Sequence, residues 1–242
     1  MFAETLRHIP LNDTGGRDIA VGDIHGSFSQ LRRALAMVHF SPEQGDRLFS
    51  VGDLVDRGPE SDEVLNWLDK PWFHAVAGNH EFLALRRAMG DPYEVVDHLR
   101  NGGRWLDVFR DDERERLVQL LQALPLAIEV DTPLGLVGLV HAECPVTDWE
   151  TLRSTPLRAQ QLHTALWSVE RMRKNRGDEV ANVRAVIHGH VVVSSLRILG
   201  NCYYIDTGGW RPMGSFTLLD LHTLQPLIGP KGDPRVSAGF EV

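Results

Sequence analysis

The sequence predicts an α/β fold in which a β-α-β-α-β unit opens the chain and further strands complete it. Three observations carry that expectation. Apolar, strand-like runs alternate with helical periodicity through the first ninety residues. Beyond residue 125 short strand runs follow one another with turn signals between them. Several of these runs stop abruptly at a cluster of acid, histidine and glycine, as in "IAVGDIHG".

The elements follow in order. "RDIAVGD" (17–23) reads as a buried strand, and "SFSQLRRALAMVHF" (27–40) as a helix with Leu31, Leu35 and Val38 at helical spacing. "DRLFSVGD" (46–53) is a second strand. "PESDEVLNWLD" (59–69) is a helix whose proline and acids suit its first turn. "WFHAVAGNHE" (72–81) is a third strand running into a helix at 82–89. The stretch from 89 to 125 is helical and more charged, broken at "NGGRW" and resumed in "DDERERLVQLLQALP". "LAIEVDT" and "GLVGLVHAE" form a hairpin around a Pro-Leu-Gly turn, and 158–174 is a helix. Four strand runs then close the chain, at 183–193, 195–200, 202–208 and 215–221, and are expected to be mostly antiparallel. With no linker or repeat between the halves, residues 1–242 are expected to form a single domain.

Composition narrows the function. Apolar residues make up 43% and charged residues 24%, as in ordinary globular proteins, and the formal charge is −8. That balance argues against broad binding to nucleic acid or anionic lipid, though not against a local phosphate site. Only two cysteines occur, Cys144 and Cys202, so a reducing compartment is expected. The N-terminus lacks a signal-type apolar region and no span is long enough to cross a membrane. A cytoplasmic, membrane-free protein without an obligate partner is the expectation.

The polar clusters carry the chemistry. Carboxyl ends of parallel strands line a common crevice, so Asp23, His25, Asp53, Asn79 and His80 are expected to converge. Asp23 and His25 lie two apart in an extended stretch and can face the same side. Later runs contribute His141 in "VHAE", and His188 and His190 in "IHGH". Carboxylate, imidazole and amide donors without thiolate suit Mn, Fe or Zn, and their number is enough for two ions. A metal pair commonly shares a carboxylate and clamps the oxygens of an in-line displacement, which points to a metallohydrolase. Taken singly, each residue has a plainer explanation. Asp23 and Asp53 fit Asx-turns, Asn79 fits a helix N-cap, and Asp56-Arg57 fits an exposed ion pair. His141 or His190 alone would suit a satisfied core histidine. The conjunction of four such segments outweighs these. His8, His39, His74, His98, His163 and His222 have no such setting and keep the plain reading.

"GDIHG", "GDLVDRG" and "GNHE", in that order, resemble the signature of the metal-dependent phosphoprotein phosphatases within the calcineurin-like metallophosphoesterases. The match is closest to the bacterial and phage-lambda-type serine/threonine protein phosphatases, with "NGGRW", "HAECP" and "YIDTGG" as further counterparts along nearly the whole chain. The resemblance implies a β-sandwich flanked by helices. It implies that Asp23 and His25 hold a first metal, that Asp53 bridges, and that Asn79, His141 and His190 complete a second, with His188 set aside. The ions would be a divalent pair, Mn²⁺ first, with Fe or Zn as alternatives. The substrate would be a phosphoprotein or phosphopeptide, attacked in line by a hydroxide bridging the ions. His80 would protonate the leaving alkoxide, with Asp56 orienting its imidazole, and Arg57 would bind phosphate oxygens. Activity on phosphotyrosine is compatible with this scheme.

One departure concerns a second phosphate-binding arginine in a "W-x-R-x-R" setting. Here "LWSVERMR" has Val169 at that place and Arg171 at the later one, so Arg171 is the remaining candidate for substrate binding. The rival reading is symmetrical hydrolysis of diadenosine tetraphosphate. That branch typically carries alanine where Asp56 stands and "GNHD" in place of "GNHE". Cyclic phosphodiesterases and nucleases usually end in "GHxH", where this chain has Val192. A binding module with a dead site is opposed by every metal position being filled.

Overall fold

The computed structural model describes residues 2–154, 157–232 and 240–241. In chain order the first half runs β1 (Glu4–Ile9), β2 (Asp18–Val21), α1 (Phe28–Met37), β3 (Arg47–Ser50), α2 (Val64–Trp67), β4 (Phe73–Ala75) and α3 (Asn79–Ala88). Next come α4 (Glu94–Arg100), α5 (Asp111–Gln122), β5 (Pro125–Val130), β6 (Val137–Val140), α6 (Thr151–Ser154), α7 (Ala159–Trp167) and α8 (Glu170–Arg173). The chain continues through β7 (Ala185–His188), β8 (Val192–Val193), β9 (Arg197–Leu199), β10 (Cys202–Tyr204), β11 (Leu218–Asp220), β12 (Gln225–Ile228) and β13 (Phe240–Glu241).

Two sheets stack face to face. One has the order β12-β11-β2-β3-β4 and the other β1-β5-β6-β7-β10-β9, while β8 pairs with β13. The period-2 alternation of side chains explains the layering. Ala20, Phe49 and Leu219 point from the first sheet into the space between the sheets and meet Ile128, Val130, Leu139 and Ile187 of the second. Their neighbours Ile19, Val21, Leu48 and Leu218 point outward, onto Phe28, Leu31 and Leu35 of α1 and Leu117 and Leu121 of α5. On the far side Ala127, Val140 and Val186 pack with Trp149, Leu152 and Ala165. The result is a β-sandwich with helices on both outer faces, and the β-α-β-α-β unit is present as β2-α1-β3-α2-β4 with all three strands parallel.

Several expectations are corrected. Most pairings in the second half are antiparallel as expected, namely β5–β6, β8–β13, β9–β10, β11–β12 and β11 with β2, but β6 runs parallel to β7 and β7 parallel to β10, which no hairpin reading anticipates. β1, paired in parallel with β5, was not foreseen, since only Ile9 of its six residues is buried and its pattern is that of a weak edge strand. "GNHE" does not end a strand. Gly78 is the extended N-cap of α3, and Asn79, His80 and Glu81 form its first turn, with the Glu81 carboxylate accepting the Gly78 N–H at 2.8 Å. The helix expected at 158–174 breaks at Ser168, whose ψ of 137° is extended and whose hydroxyl donates to Glu143 at 2.5 Å. Among the described residues no helix is long and apolar enough to cross a membrane.

Candidate active site

The two parallel trios point their carboxyl ends at one place. β2, β3 and β4 are followed by Asp23 and His25, by Asp53, and by Asn79 and His80. From the opposite sheet, β6, β7 and β10 are followed by His141, His190 and Asp206. Opposed C-terminal edges of a sandwich thereby replace the single crevice expected from one open sheet.

The backbone is bent sharply to make this possible. His25, Asp53, Asp56, Arg57 and His190 all adopt positive φ, from 44° to 71°, a region that residues other than glycine seldom occupy. His25 therefore does not continue an extended strand as its spacing suggested. Its N–H and that of Ile24 donate to the Asp53 carbonyl, at 2.8 and 3.0 Å. Glu81, fully buried, accepts the N–H groups of Asp53, Leu54 and Gly78 at 2.7 to 2.8 Å, and so fixes the loop after β3 onto the start of α3. The His190 N–H donates to both Asp23 oxygens at 3.1 Å, joining the two sheets.

Asp53 sits at the centre. Its Oδ2 lies 3.6 Å from His25 Nε2 and 3.9 Å from His80 Nε2, and its Oδ1 lies 3.4 Å from His141 Nε2. Asp23 Oδ2 is 3.9 Å from His25 Nε2, and Asn79 Oδ1 is 2.9 Å from His141 Nε2. His190 stacks edge-on to His141 with ring centroids 5.0 Å apart. Two groups of ligand-type atoms result, His25-Asp53-His80 and Asp53-His141-His190, with Asp53 common to both. The imidazoles are set for metal by a repeated device: Nδ1–H of His25 donates to the Val55 carbonyl at 3.0 Å, and Nδ1–H of His141 to the Val51 carbonyl at 2.8 Å. That turns Nε2 of each ring toward the site, where His25 Nε2 meets Arg57 and His141 Nε2 meets Asn79. His190 Nε2, His80 Nε2 and Asp206 Oδ2 are buried without a hydrogen-bond partner. Orphaned donor atoms around a shared carboxylate are what a divalent pair would satisfy, so the residues fit such ions.

Electrostatics point the same way. Burial, with the charges of Asp206 and Asp53 nearby, pushes Asp23 well above the usual carboxylate range. Burial and Asp53 lift Glu81 to about 7, and burial takes Asp206 to about 6. Burial would also raise Asp53, but the His141, His80 and His25 imidazoles overcome it and hold Asp53 well below its ordinary value. Burial and His141 drive His190 down to about 3, and burial and His80 lower His25. Burial disfavours the charged forms of His25 and His190 in particular, while at His141 it is outweighed by Asp53, which raises the imidazole, so the crowded carboxylates draw on few cations.

Arg57 is the guanidinium that reaches the cluster. Its Nη1 is 3.0 Å from His25 Nε2, and its Cζ lies 4.9 Å over the Trp210 ring, which in turn meets His25 edge-on at 4.9 Å. His80 Nδ1 donates to Asp56 Oδ2 at 2.7 Å, both residues being fully buried. Arg171 is placed differently from what a phosphate ligand requires. Its Nη1 donates to the carbonyls of Arg176 and Asp178, and its Nη2 to the Asp178 carboxylate at 3.2 Å. It braces the wall of a neighbouring groove of about 720 Å³ that also contains Val169. His188 stays apart from the cluster, stacked on Tyr204 at 5.0 Å with Nδ1–H on the Val140 carbonyl.

Four residues here went unassigned in the sequence. Asp206 joins because β10 runs parallel to β7, a pairing that a hairpin reading hides; "YIDTGG" was its only signal. Trp210 comes from the loop after it, docked by the Ser27 hydroxyl on the Trp210 carbonyl at 3.3 Å. His98 and Trp105 reach Asp56 from the segment around "NGGRW". Nothing local in the sequence marks His98, which the structure buries on a short helix where Val95 and Leu99 are half-buried and Val96, Asp97 and Arg100 exposed.

Comparison with known proteins agrees with this geometry. The profile of the family Calcineurin-like phosphoesterase matches residues 19–194. The chain is 34% identical to serine/threonine-protein phosphatase 2 of Salmonella typhimurium, over 86% of this chain and 94% of that protein. It is 34% identical to the symmetrical bis(5'-nucleosyl)-tetraphosphatase of Methylococcus capsulatus, over 61% of this chain but 49% of that protein. Among solved structures, a putative diadenosine tetraphosphatase superposes with a TM-score of 0.63 at 22% identity, covering 95% of this chain and 100% of the other, a likeness of fold. Sandwich, shared aspartate, paired histidine clusters and sequence kinship agree, and the chain belongs to the calcineurin-like phosphoesterases.

Proposed function

We propose that this chain is a metal-dependent phosphoprotein phosphatase that hydrolyses phosphoserine and phosphothreonine monoesters. The observation that supports it most is Asp53, with one oxygen toward each histidine cluster, flanked by Arg57 and by the His80–Asp56 pair. Asp23, His25 and Asp53 would hold one ion, and Asp53, Asn79, His141 and His190 the other, with Mn²⁺ the expected metal. Such ions, when bound, supply Lewis acidity and lower the pKa of water.

The remaining work belongs to side chains. Arg57 offers a planar fork of N–H donors to phosphate oxygens, steadied by the face of Trp210. An alkoxide is a poor leaving group and needs a proton as the ester bond breaks. His80 Nε2, buried and without a partner, is the atom to give it, while Asp56 holds Nδ1–H and so fixes which nitrogen faces the substrate. The groove that starts at Glu143, two residues beyond His141, runs past Trp167, whose carbonyl accepts a hydrogen bond from His190. It is the proposed seat for the peptide flanking the phosphoresidue. A cytoplasmic location accords with the two buried free thiols.

Near-complete overlap with bacterial serine/threonine phosphatases, against half-length overlap with tetraphosphatases, favours the protein substrate. Asp56 favours it as well, because a seryl alkoxide requires a positioned acid more than a nucleotide leaving group does. Parallel Mn²⁺-dependent assays on a phosphoserine peptide, a phosphotyrosine peptide and diadenosine tetraphosphate test the reading. Highest kcat/KM on the phosphoserine peptide is expected, and a preference for the dinucleotide would overturn it.

A further inference from the structure

Asp56 has three partners besides its own backbone contacts, and only one of them is His80. His98 Nε2 lies 2.9 Å from Asp56 Oδ1, and Trp105 Nε1 lies 2.6 Å from the same oxygen. His80 Nδ1 takes the other oxygen at 2.7 Å. Asp56 and both histidines are fully buried. Burial opposes the charge on Asp56, but the hydrogen bonds from His80 and His98 outweigh it and keep the carboxyl below its ordinary pKa.

The direction of each bond follows from which groups can donate. A carboxylate only accepts, so His98 presents Nε2–H to Asp56. Behind it, Arg87 only donates, and its Nη1 stands 3.4 Å from His98 Nδ1, the nitrogen left without a proton. The same Nη1 donates to the Gly103 carbonyl at 2.7 Å, while Nη2 pairs with Asp107. Trp105 Nε1–H can do nothing but donate. The surrounding chain is shaped to admit these rings. A Cβ at Gly103 would stand 2.5 Å from three atoms of the His98 imidazole, and one at Gly102 would stand 2.4 Å from the Arg57 nitrogen. The Gly102-Gly103 pair thus lets the loop close directly over Asp56, Arg57 and His98.

We propose that His98 and Trp105 are positioning residues that fix the Asp56 carboxylate, and through it the aim of His80, in the protonation of the leaving group. Two donors on Oδ1 stop the carboxylate from rotating about its Cβ–Cγ bond, so Oδ2 stays with His80 Nδ1–H. His80 Nε2 is thereby held toward the cluster. Neither His98 nor Trp105 touches the phosphate. This inference rests on the proposed role of His80.

The test compares two substrates of different leaving-group demand on the Mn²⁺-loaded enzyme. A phosphoserine peptide leaves as an alkoxide and needs the proton; p-nitrophenyl phosphate leaves as a stable phenolate and does not. For His98→Ala and Trp105→Phe, kcat on the peptide is expected to fall roughly 10- to 100-fold. On p-nitrophenyl phosphate kcat is expected to stay within about threefold, with KM and bound Mn²⁺ unchanged. His98→Gln, whose amide nitrogen takes the place of Nε2–H, is expected to recover most of the loss. Trp105→Phe keeps an aromatic ring at this place while removing the N–H donor, so it answers the question even if His98→Ala folds poorly. Equal losses on both substrates, or loss on neither, would overturn the proposal. His80→Asn, assayed alongside, separates the two levels. If it spares the phosphoserine peptide, the role of His80 itself fails. If it abolishes that activity while His98→Ala and Trp105→Phe do not, this inference alone fails.

Discussion

Asp53 combines three demands that rarely coincide in one residue: a φ of 50°, near-complete burial, and a charge maintained against that burial by three imidazoles. Removing its charge while keeping its shape, as in Asp53→Asn, deprives both histidine clusters of their shared anion. Bound Mn²⁺ is expected to fall from two ions per chain to fewer than one, measured by elemental analysis after desalting, with activity reduced by several orders of magnitude. Retention of two ions would show that Asp53 is not shared. His80→Asn is the counterpart: metal content is expected to stay intact while kcat on phosphoserine peptide drops by about 10²- to 10⁴-fold. At this scale the sequence was most legible where chemistry was concentrated in a short motif. Asp23, His25, Asp53, Asn79, His80, His141 and His190 are brought together as their setting at chain breaks suggested. His98 was not legible, because a histidine between Asp97 and Leu99 carries no local mark of an acceptor 42 residues away.

Elements explain the other misreadings. A strand's direction relative to a distant neighbour leaves little trace in its own residues, so β7 and β10 read as successive strands of a hairpin series. Their parallel pairing, with β9 inserted beside β10, is what carries Asp206 to the cluster. The break between α7 and α8 had a faint signal in Ser168, a residue that caps more readily than it propagates a helix. The loop "NGGRW" was visible as a break but not as a lid over Asp56. Its contribution can be isolated by comparing two glycines. Gly102 and Gly90 both have positive φ, 100° and 85°, yet a Cβ at Gly102 meets the Arg57 nitrogen at 2.4 Å and one at Gly90 meets nothing within 4 Å. Gly90→Ala is expected to cost about 1 kcal/mol from backbone strain alone and leave kcat unchanged. Gly102→Ala adds a clash with backbone and is expected to cost roughly 2–4 kcal/mol and lower kcat at least tenfold. Urea denaturation and phosphopeptide turnover of both variants check this, and equal behaviour of the two would show that the loop does not brace Arg57.

The whole molecule joins two sheets through a polar seam, and that seam makes stability depend on pH in two opposing ways. Asp206 and Glu81 sit at about 6 and about 7, above their unfolded values of about 4, chiefly because burial disfavours their charge. A group raised on folding favours the native state at low pH, and that contribution disappears as pH climbs through the raised value. In metal-free protein the carboxylates therefore weaken the fold between about pH 4 and pH 8. His74 works in the other direction. Burial, then the charges of Arg47 and Arg7, lower it to about 4, while its ring stacks on Phe49 at 4.9 Å. Its contribution is complete above the unfolded value of about 6.5 and is lost as pH falls through 4. His188, taken to about 3 by burial, adds to the same acid-side loss. A divalent pair supplies the missing positive charge where the carboxylates are ionised, and competes with protons where they are not. The rise in Tm on adding saturating Mn²⁺ to metal-free protein is accordingly expected to be several degrees larger at pH 8 than at pH 5.5. His74→Phe keeps the stack and removes the titrating group, so its loss of metal-free stability from pH 7 to pH 4.5 is expected to be smaller than that of the parent chain. An Mn²⁺ effect independent of pH would mean that the ions do not sense the charge of the buried carboxylates of the seam.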